Sequence, residues 1–185
     1  PLLPVAQQLD ALEGVDTSID IRSIQFHSRQ AEFRDPVGPV HVGQSIRFRV
    51  KARSGDLSAA TLVVQDKYVE GNQSSVTWSD LATVEMTRVS LDEQWDAWEV
   101  EYAPDYPGTL GYYFLLEKGG DRVALGNNRN KIDVPWVDVS GTGGKGFITE
   151  EYDGIPFGLT AYTPESMAGP PEDLVYYYIF PDRFR

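Results

Sequence analysis

The stretch Gln44-Ser45-Ile46-Arg47-Phe48-Arg49-Val50-Lys51-Ala52 decides the fold class. Ile46, Phe48 and Val50 alternate with Arg47, Arg49 and Lys51, which is the period of a strand with one face in a core and one basic face toward water. Ser54-Gly55-Asp56 turns the chain, and Ala59 to Gln65 repeats the pattern with Ala60, Leu62 and Val64 on one face. Further out, Trp98-Glu99-Val100-Glu101-Tyr102 alternates until Pro104. Leu110 to Glu117 sets Tyr112, Phe114 and Leu116 against Gly111, Tyr113 and Leu115, so burial or aromatic contact is expected on both faces. Lys118-Gly119-Gly120-Asp121 is a tight turn into Arg122-Val123-Ala124-Leu125, and these two runs are expected to form a hairpin. Ile19-Asp20-Ile21, Ile24-Gln25-Phe26-His27 and Leu81 to Val89 are further candidate strands. Six to eight short strands with no long amphipathic helix between them predict an all-β fold. It is an immunoglobulin-like antiparallel β-sandwich over residues 19–132.

The flanks read differently. Residues 1–18 form an N-terminal extension, with a short helix expected from Val5 to Leu12 and Gly14 placed to stop it. Residues 133–172 hold five of the 12 prolines and seven of the 17 glycines, which predicts a linker or loosely structured arm. In residues 173–185, the run Leu174-Val175-Tyr176-Tyr177-Tyr178-Ile179-Phe180 is apolar or aromatic throughout, and Pro181 ends it. That pattern suits a strand buried on both faces, as in a parallel sheet, and implies a larger domain of which it is the first strand.

Composition narrows the function classes. Sixteen basic against 28 acidic side chains give a net charge of −12 in 185 residues, which argues against nucleic acid and membrane as partners. No apolar stretch reaches the roughly 18 residues of a membrane span. There is no cysteine, hence no disulfide and no thiolate metal site. Gly141-Thr142-Gly143-Gly144-Lys145-Gly146 lacks the phosphate-loop spacing: Val139 stands where a glycine is required, and Gly146 follows Lys145 where Ser or Thr is required. His27 and His41 have no metal-spaced partner, so no zinc site is expected. Asp133, Asp138 and Asp153 are oxygen donors of a type that suits calcium, without a loop of known ligand spacing.

Aromatic residues are the more useful signal. Neutral sugars are held by flat rings against their C–H faces, with a few polar groups fixing orientation. Trp98 is in phase with Val100 and Tyr102 and is expected in the core, while Trp95 is open to either role. Tyr68, Trp78 and Trp136 stand in loop-like or polar surroundings and are the candidate carbohydrate-binding residues, with ordinary packing as the alternative.

Tyr177-Tyr178-Ile179-Phe180-Pro181-Asp182-Arg183-Phe184 resembles the opening strand of the catalytic barrel in the α-amylase family of glycoside hydrolases, family 13, with Tyr178 where relatives usually have Gln. Trp95-Asp96-Ala97-Trp98-Glu99-Val100 resembles a hallmark of the β-sandwich that precedes the barrel in amylopullulanases and neopullulanases. Phe33-Arg34-Asp35-Pro36, Pro39-Val40-His41-Val42-Gly43, Gly111-Tyr112-Tyr113-Phe114, Thr142-Gly143-Gly144-Lys145-Gly146 and Leu159-Thr160-Ala161-Tyr162 fall in the same order. The resemblance covers about residues 21 to 185.

It implies a parent enzyme that hydrolyses α-1,4 bonds in starch, glycogen or pullulan with retention, α-1,6 bonds being left open. Such chemistry uses a carboxylate nucleophile and a carboxylic acid/base about 5 Å apart, and in a barrel these stand at the ends of later strands. No catalytic residue is therefore assigned in this chain. Tyr177, Asp182 and Arg183 are carried over only as residues of the first barrel strand and its exit. No cofactor is expected in the chain, and calcium, if any, belongs to the parent enzyme. The implied partners are an α-glucan and the catalytic barrel of the same protein, with a homodimer open and a secreted setting favoured over a cytoplasmic one. The alternative is a purely structural or dimerising sandwich that touches no sugar.

Overall fold

Two sheets organise residues 10–11, 15–70, 75–127 and 144–164, the part of the chain that the computed structural model describes. The strands are β1 (Asp10–Ala11), β2 (Arg34–Asp35), β3 (Val40–His41), β4 (Ile46–Arg53), β5 (Ala59–Glu70) and β6 (Ser75–Glu85). They continue as β7 (Thr87–Ser90), β8 (Trp95–Tyr102), β9 (Gly108–Lys118), β10 (Asp121–Asn127), β11 (Gly146–Thr149) and β12 (Phe157–Tyr162). One sheet runs β2-β4-β8-β7, all antiparallel. In the other, β9 is the hub. β5 lines one edge of it, while β12 and β10 share the opposite edge, β12 along Gly108 to Tyr112 and β10 along Phe114 to Lys118. β6 extends that sheet beyond β5, β11 and β1 extend it beyond β10, and β3 pairs β12 in parallel.

Alternation does what its period dictates. Ile46, Phe48, Val50 and Ala52 of β4 are fully buried and face Leu110, Tyr112, Phe114 and Leu116 of β9 and Leu62 and Val64 of β5 across the sandwich. Aromatic rings fill the space between. Phe26 lies 4.9 Å from Phe114 and 4.8 Å from Phe157, and Tyr112 lies 4.8 Å from Phe48 and 5.2 Å from Phe157, in tilted, edge and offset arrangements that suit ring quadrupoles. Arg34, 5% exposed, donates to the carbonyls of Gly158 (3.1 Å) and Gly38 (2.6 Å) with its guanidinium 5.8 Å from the Tyr112 ring centre. This buried cation ties β2 to β12.

Several expectations change. The outer face of β4 is basic but not simply open to water: Arg49 pairs with Glu99 at 2.5 Å, Lys51 with Glu32 at 3.0 Å and Arg53 with Asp20 at 3.2 Å. Such half-exposed pairs contribute little each, on the order of 0–1 kcal/mol, but they neutralise a face whose strand charges all have one sign. Leu81 to Val89 is two strands, because the chain changes sheets at buried Met86, whose N–H donates to Ala60 O. Ile21–Ser23 is a 3-10 turn, and Gln25 and His27 form only isolated bridges, to Lys51 and Lys145. Asp10–Ala11 is extended and pairs with β11, where a helix was expected over Val5 to Leu12; the remaining positions of that helix are outside the described residues.

The arm expected over 133–172 is, in its described part, built into the sheet. β12 is antiparallel to β9 and alternates buried Phe157, Leu159 and Ala161 with exposed Gly158 and Thr160. Glycine content misleads there because close packing, not looseness, requires it. Gly144, at φ +91°, sits against His27, Ser28 and Arg29, and a side chain at Gly146 would meet Leu125. The barrel strand expected over 173–185 lies outside the described residues.

Phe157→Ala removes a fully buried ring from the central cluster. A loss of about 3–5 kcal/mol is expected by denaturant unfolding, where a loose arm would show almost none. His27 supplies a pH test. Burial, Arg29 and Lys145 hold its imidazole below the usual value of 6.5. The folded state then binds fewer protons than the unfolded one as pH falls through 6.5, so this contribution to stability is complete above 6.5 and declines below it. His27→Gln is expected to flatten that part of the stability profile, read by urea unfolding between pH 5 and 7.5 on the scale set by a free imidazole.

Candidate functional site

The outer face of the larger sheet, away from the core, gathers the polar and aromatic groups that can meet a ligand. Its geometry follows from one irregularity. β5 and β6 pair Val64 with Ala82 and then Gln65 with Asp80, leaving Leu81 as an extra residue in β6. Ala82 follows the inward phase of Val64, so an unbroken β6 would turn Asp80 and Trp78 inward as well. The bulge shifts the phase and puts both on the outer face, beside Gln65 and Lys67.

The indole of Trp78 then leans over β9. A Cβ built at Gly111 would lie 2.8 Å from Trp78 Cζ3 and 2.7 Å from Pro156 Cγ, so only glycine permits this approach. Next to it, Gly158 is the cross-strand partner of Gly111 and has open space above it. Thr109 and Thr160, paired across the same two strands, are exposed on the same face. A half-buried indole packed with Pro156 over Gly111 therefore stands near the open surface of Gly158, with the hydroxyls of Thr109 and Thr160 beyond it and Lys67 as its cross-strand partner.

A hydrogen-bond relay fixes the near edge. Tyr152 Oη donates to Gln65 Oε1 (2.7 Å), and Gln65 Nε2 donates to Asp80 Oδ1 (2.8 Å). The Tyr152 ring stacks on Tyr113 with centroids 3.7 Å apart and planes 4° from parallel. Burial first, then Tyr113, Asp153 and Asp80, raise the Tyr152 phenol above its usual range, so it remains a donor. Gln65 is 4% exposed and thereby locked, whereas Asp80 is exposed.

The sequence candidates separate. Tyr68 pairs with Thr77, one residue out of phase with Trp78, so Tyr68 and Trp78 stand on opposite faces of the β5–β6 ribbon. Both are in strands and not in loops, and Tyr68 is 62% exposed. Trp98 is 6% exposed in the core, and Trp95 opens β8 half-buried. Trp136, Tyr177, Asp182, Arg183, Asp133 and Asp138 lie outside the described residues. Asp153 accepts from the Ile155 N–H, and no group of three or more metal-type side chains occurs among the described residues. Glu99 and Glu101 are the outward residues of β8; with Arg47, Glu85, Thr87 and Val100 they line a shallow 280 Å³ hollow where the chain passes from β6 to β7, and it has no aromatic wall.

Sequence reasoning missed Thr109, Gly158 and Thr160. For Gly158 and Thr160 the signal was the alternation of Phe157, Leu159 and Ala161 within a segment rich in glycine, and for Thr109 it was the phase of Leu110, Tyr112 and Phe114.

The fold defines the class first: a sandwich of immunoglobulin-like type, antiparallel apart from the short β1–β11 and β3–β12 pairings. Residues 26–140 match the family model described as "Alpha amylase, N-terminal ig-like domain", and the chain belongs to that family. It is 29% identical over 184 residues, 94% of its length, to an amylopullulanase of Thermoanaerobacterium thermosulfurigenes, and 30% identical over 180 residues to that of Thermoanaerobacterium saccharolyticum. A cyclomaltodextrinase of Bacillus sp is 28% identical over 149 residues, 77% of the chain. The chain spans only 8%, 12% and 22% of these relatives.

Gly111→Ala is expected to push Trp78 and Pro156 off the sheet. The overpacking cost is about 1–3 kcal/mol, and a red-shifted indole emission would show that Trp78 has moved into water.

Proposed function

We propose that this sandwich is the N-terminal accessory domain of an α-glucan hydrolase and that it holds α-glucan chains on the outer face of its larger sheet. The observation that carries this reading is Trp78, packed with Pro156 over Gly111, beside the open surface at Gly158, Thr109 and Thr160. Glucose units present flat C–H faces and a rim of hydroxyls. An indole edge or face stacks on the former, while Asp80, Lys67, Thr109 and Thr160 offer donors and acceptors to the latter. The acidic surface is no obstacle, because the ligand is neutral. The relatives named amylopullulanase and cyclomaltodextrinase support the substrate class.

On this reading the hydrolytic carboxylates belong to a barrel that follows, whose first strand is Leu174–Phe180 with Tyr177, Asp182 and Arg183 on the strand and at its exit. The 185-residue chain alone is expected to release no reducing sugar from pullulan. Calcium, a homodimer and a secreted setting remain proposals of the same kind, carried by the family resemblance alone.

Affinity electrophoresis in amylopectin gels tests the site. The chain is expected to be retarded, Trp78→Ala to lose at least about tenfold in affinity, or roughly 1.4 kcal/mol, and Tyr68→Ala to behave as the parent. Equal retardation of Trp78→Ala and the unaltered chain would place any binding elsewhere.

A further inference from the structure

Further along the outer face of the larger sheet stands a second aromatic group. β12 alternates, so Tyr162 is on the same side as exposed Gly158 and Thr160, opposite buried Phe157, Leu159 and Ala161. β3 runs parallel to β12 and pairs Val40 with Ala161 and His41 with Tyr162. Val40 is fully buried, so His41 takes the outer face beside Tyr162.

The two rings are held in place. Their centres lie 4.3 Å apart with planes 46° from parallel, and Tyr162 Oη is 3.0 Å from His41 Nε2. The His41 N–H donates to Gln44 Oε1 (3.0 Å), and the Gln44 N–H donates back to the His41 carbonyl (3.0 Å). The Val42 N–H donates to the Tyr162 carbonyl (2.9 Å), which continues the pairing of β3 with β12. His41 is exposed and Tyr162 half-buried. Rings fixed before a ligand arrives cost it little ordering entropy, and their faces suit the C–H face of a sugar.

Their distance from Trp78 sets what such a ligand must be. The Trp78 indole ends over Gly111, whose cross-strand partner is Gly158. Tyr162 stands four residues on from Gly158 along β12, an interval of about 13 Å at the rise of a strand. The stretch between carries Gly158 and Thr160 and, across from Thr160, Thr109, all three exposed. These short side chains leave the path clear, and the two hydroxyls can bond the rim of a sugar. An α-linked glucose unit is about as long as one interstrand spacing, about 4.8 Å, so roughly three such steps lead from one ring to the other.

We propose that the Tyr162–His41 pair is a second sugar platform of the site at Trp78, and that this sheet face takes a run of about four or more α-linked glucose units. The inference rests on the reading that the face binds α-glucan, and it adds the length of the ligand. Maltose touches one platform at a time, whereas a longer chain touches both and gains from their linkage.

Isothermal titration calorimetry of the 185-residue chain with maltose and with maltoheptaose tests this. Maltoheptaose is expected to bind on the order of a hundredfold more tightly. Tyr162→Ala is expected to reduce that preference to the few-fold that extra registers along a longer chain give, while maltose still perturbs the Trp78 indole. Tyr162→Phe keeps the ring without the hydrogen bond to His41 and is expected to keep the preference. If Tyr162→Ala does not fold, nuclear magnetic resonance on the unaltered chain decides: the Tyr162 ring signals are expected to shift and saturate with maltoheptaose in step with the Trp78 indole. A preference that survives Tyr162→Ala, or Tyr162 signals that stay in place while the Trp78 indole saturates, overturns the second platform and leaves the Trp78 reading standing. Loss of the preference in Tyr162→Phe as complete as in Tyr162→Ala assigns the effect to the bond with His41 and also overturns it. Failure of the unaltered chain to bind either sugar overturns the Trp78 reading itself, and the second platform with it.

Discussion

The burial of the middle of β9, Leu110 to Phe114, on both of its faces is the constraint on which the rest depends. Leu110, Tyr112, Phe114 and Leu116 point into the sandwich and are fully buried, while Tyr113, on the opposite side, is 6% exposed beneath Tyr152. A strand enclosed in this way must also have both backbone edges paired, since an unmet N–H or C=O away from water costs more than its hydrogen bond returns. β5 supplies one edge. Neither β10 nor β12 alone covers the other, and the two divide it between them. The segment from Gly146 to Tyr162 is thus required by the sandwich and is not appended to it.

The same constraint builds the outer face. Tyr152 and Pro156 come from the connection between β11 and β12, and they reach the sheet because both flanking strands are fixed in it. Gly111 gives them and Trp78 room, and Gly158 leaves the adjacent floor clear. The candidate sugar site is then a by-product of how the sheet is closed: rigid strands hold the ring, and the Tyr152–Gln65–Asp80 relay holds the polar rim. Positioning on strands costs a ligand less ordering entropy than positioning on loops would.

Much of the fold was legible from residue pattern. The alternation in Ile46–Ala52 and Leu110–Glu117 gives strand, face and hairpin directly, because side-chain period and burial are linked by geometry alone. Three features were not legible, each for a physical reason. The bulge at Leu81 has no composition signature, yet it decides which face Trp78 occupies and so separates it from Tyr68. Gly144, Gly146 and Gly158 have the composition of a linker, and only their neighbours show that two of them serve close packing and the third leaves a clear floor. The Asp10–Ala11 strand exists through pairing with β11, more than 130 residues away, a contact no local window contains. Family-level motifs reached further than periodicity, since Trp95–Val100 and Gly111–Phe114 pointed to the family that residues 26–140 match.

The most direct test of the account is a nuclear magnetic resonance titration with maltoheptaose, following the indole N–H signals of the tryptophans and the amides of the larger sheet. The account predicts a saturable shift of the Trp78 indole together with the amides of Thr109, Gly111, Gly158 and Thr160, while buried Trp98 stays in place. Saturable shifts confined to other residues, or none at all at millimolar sugar, would contradict it.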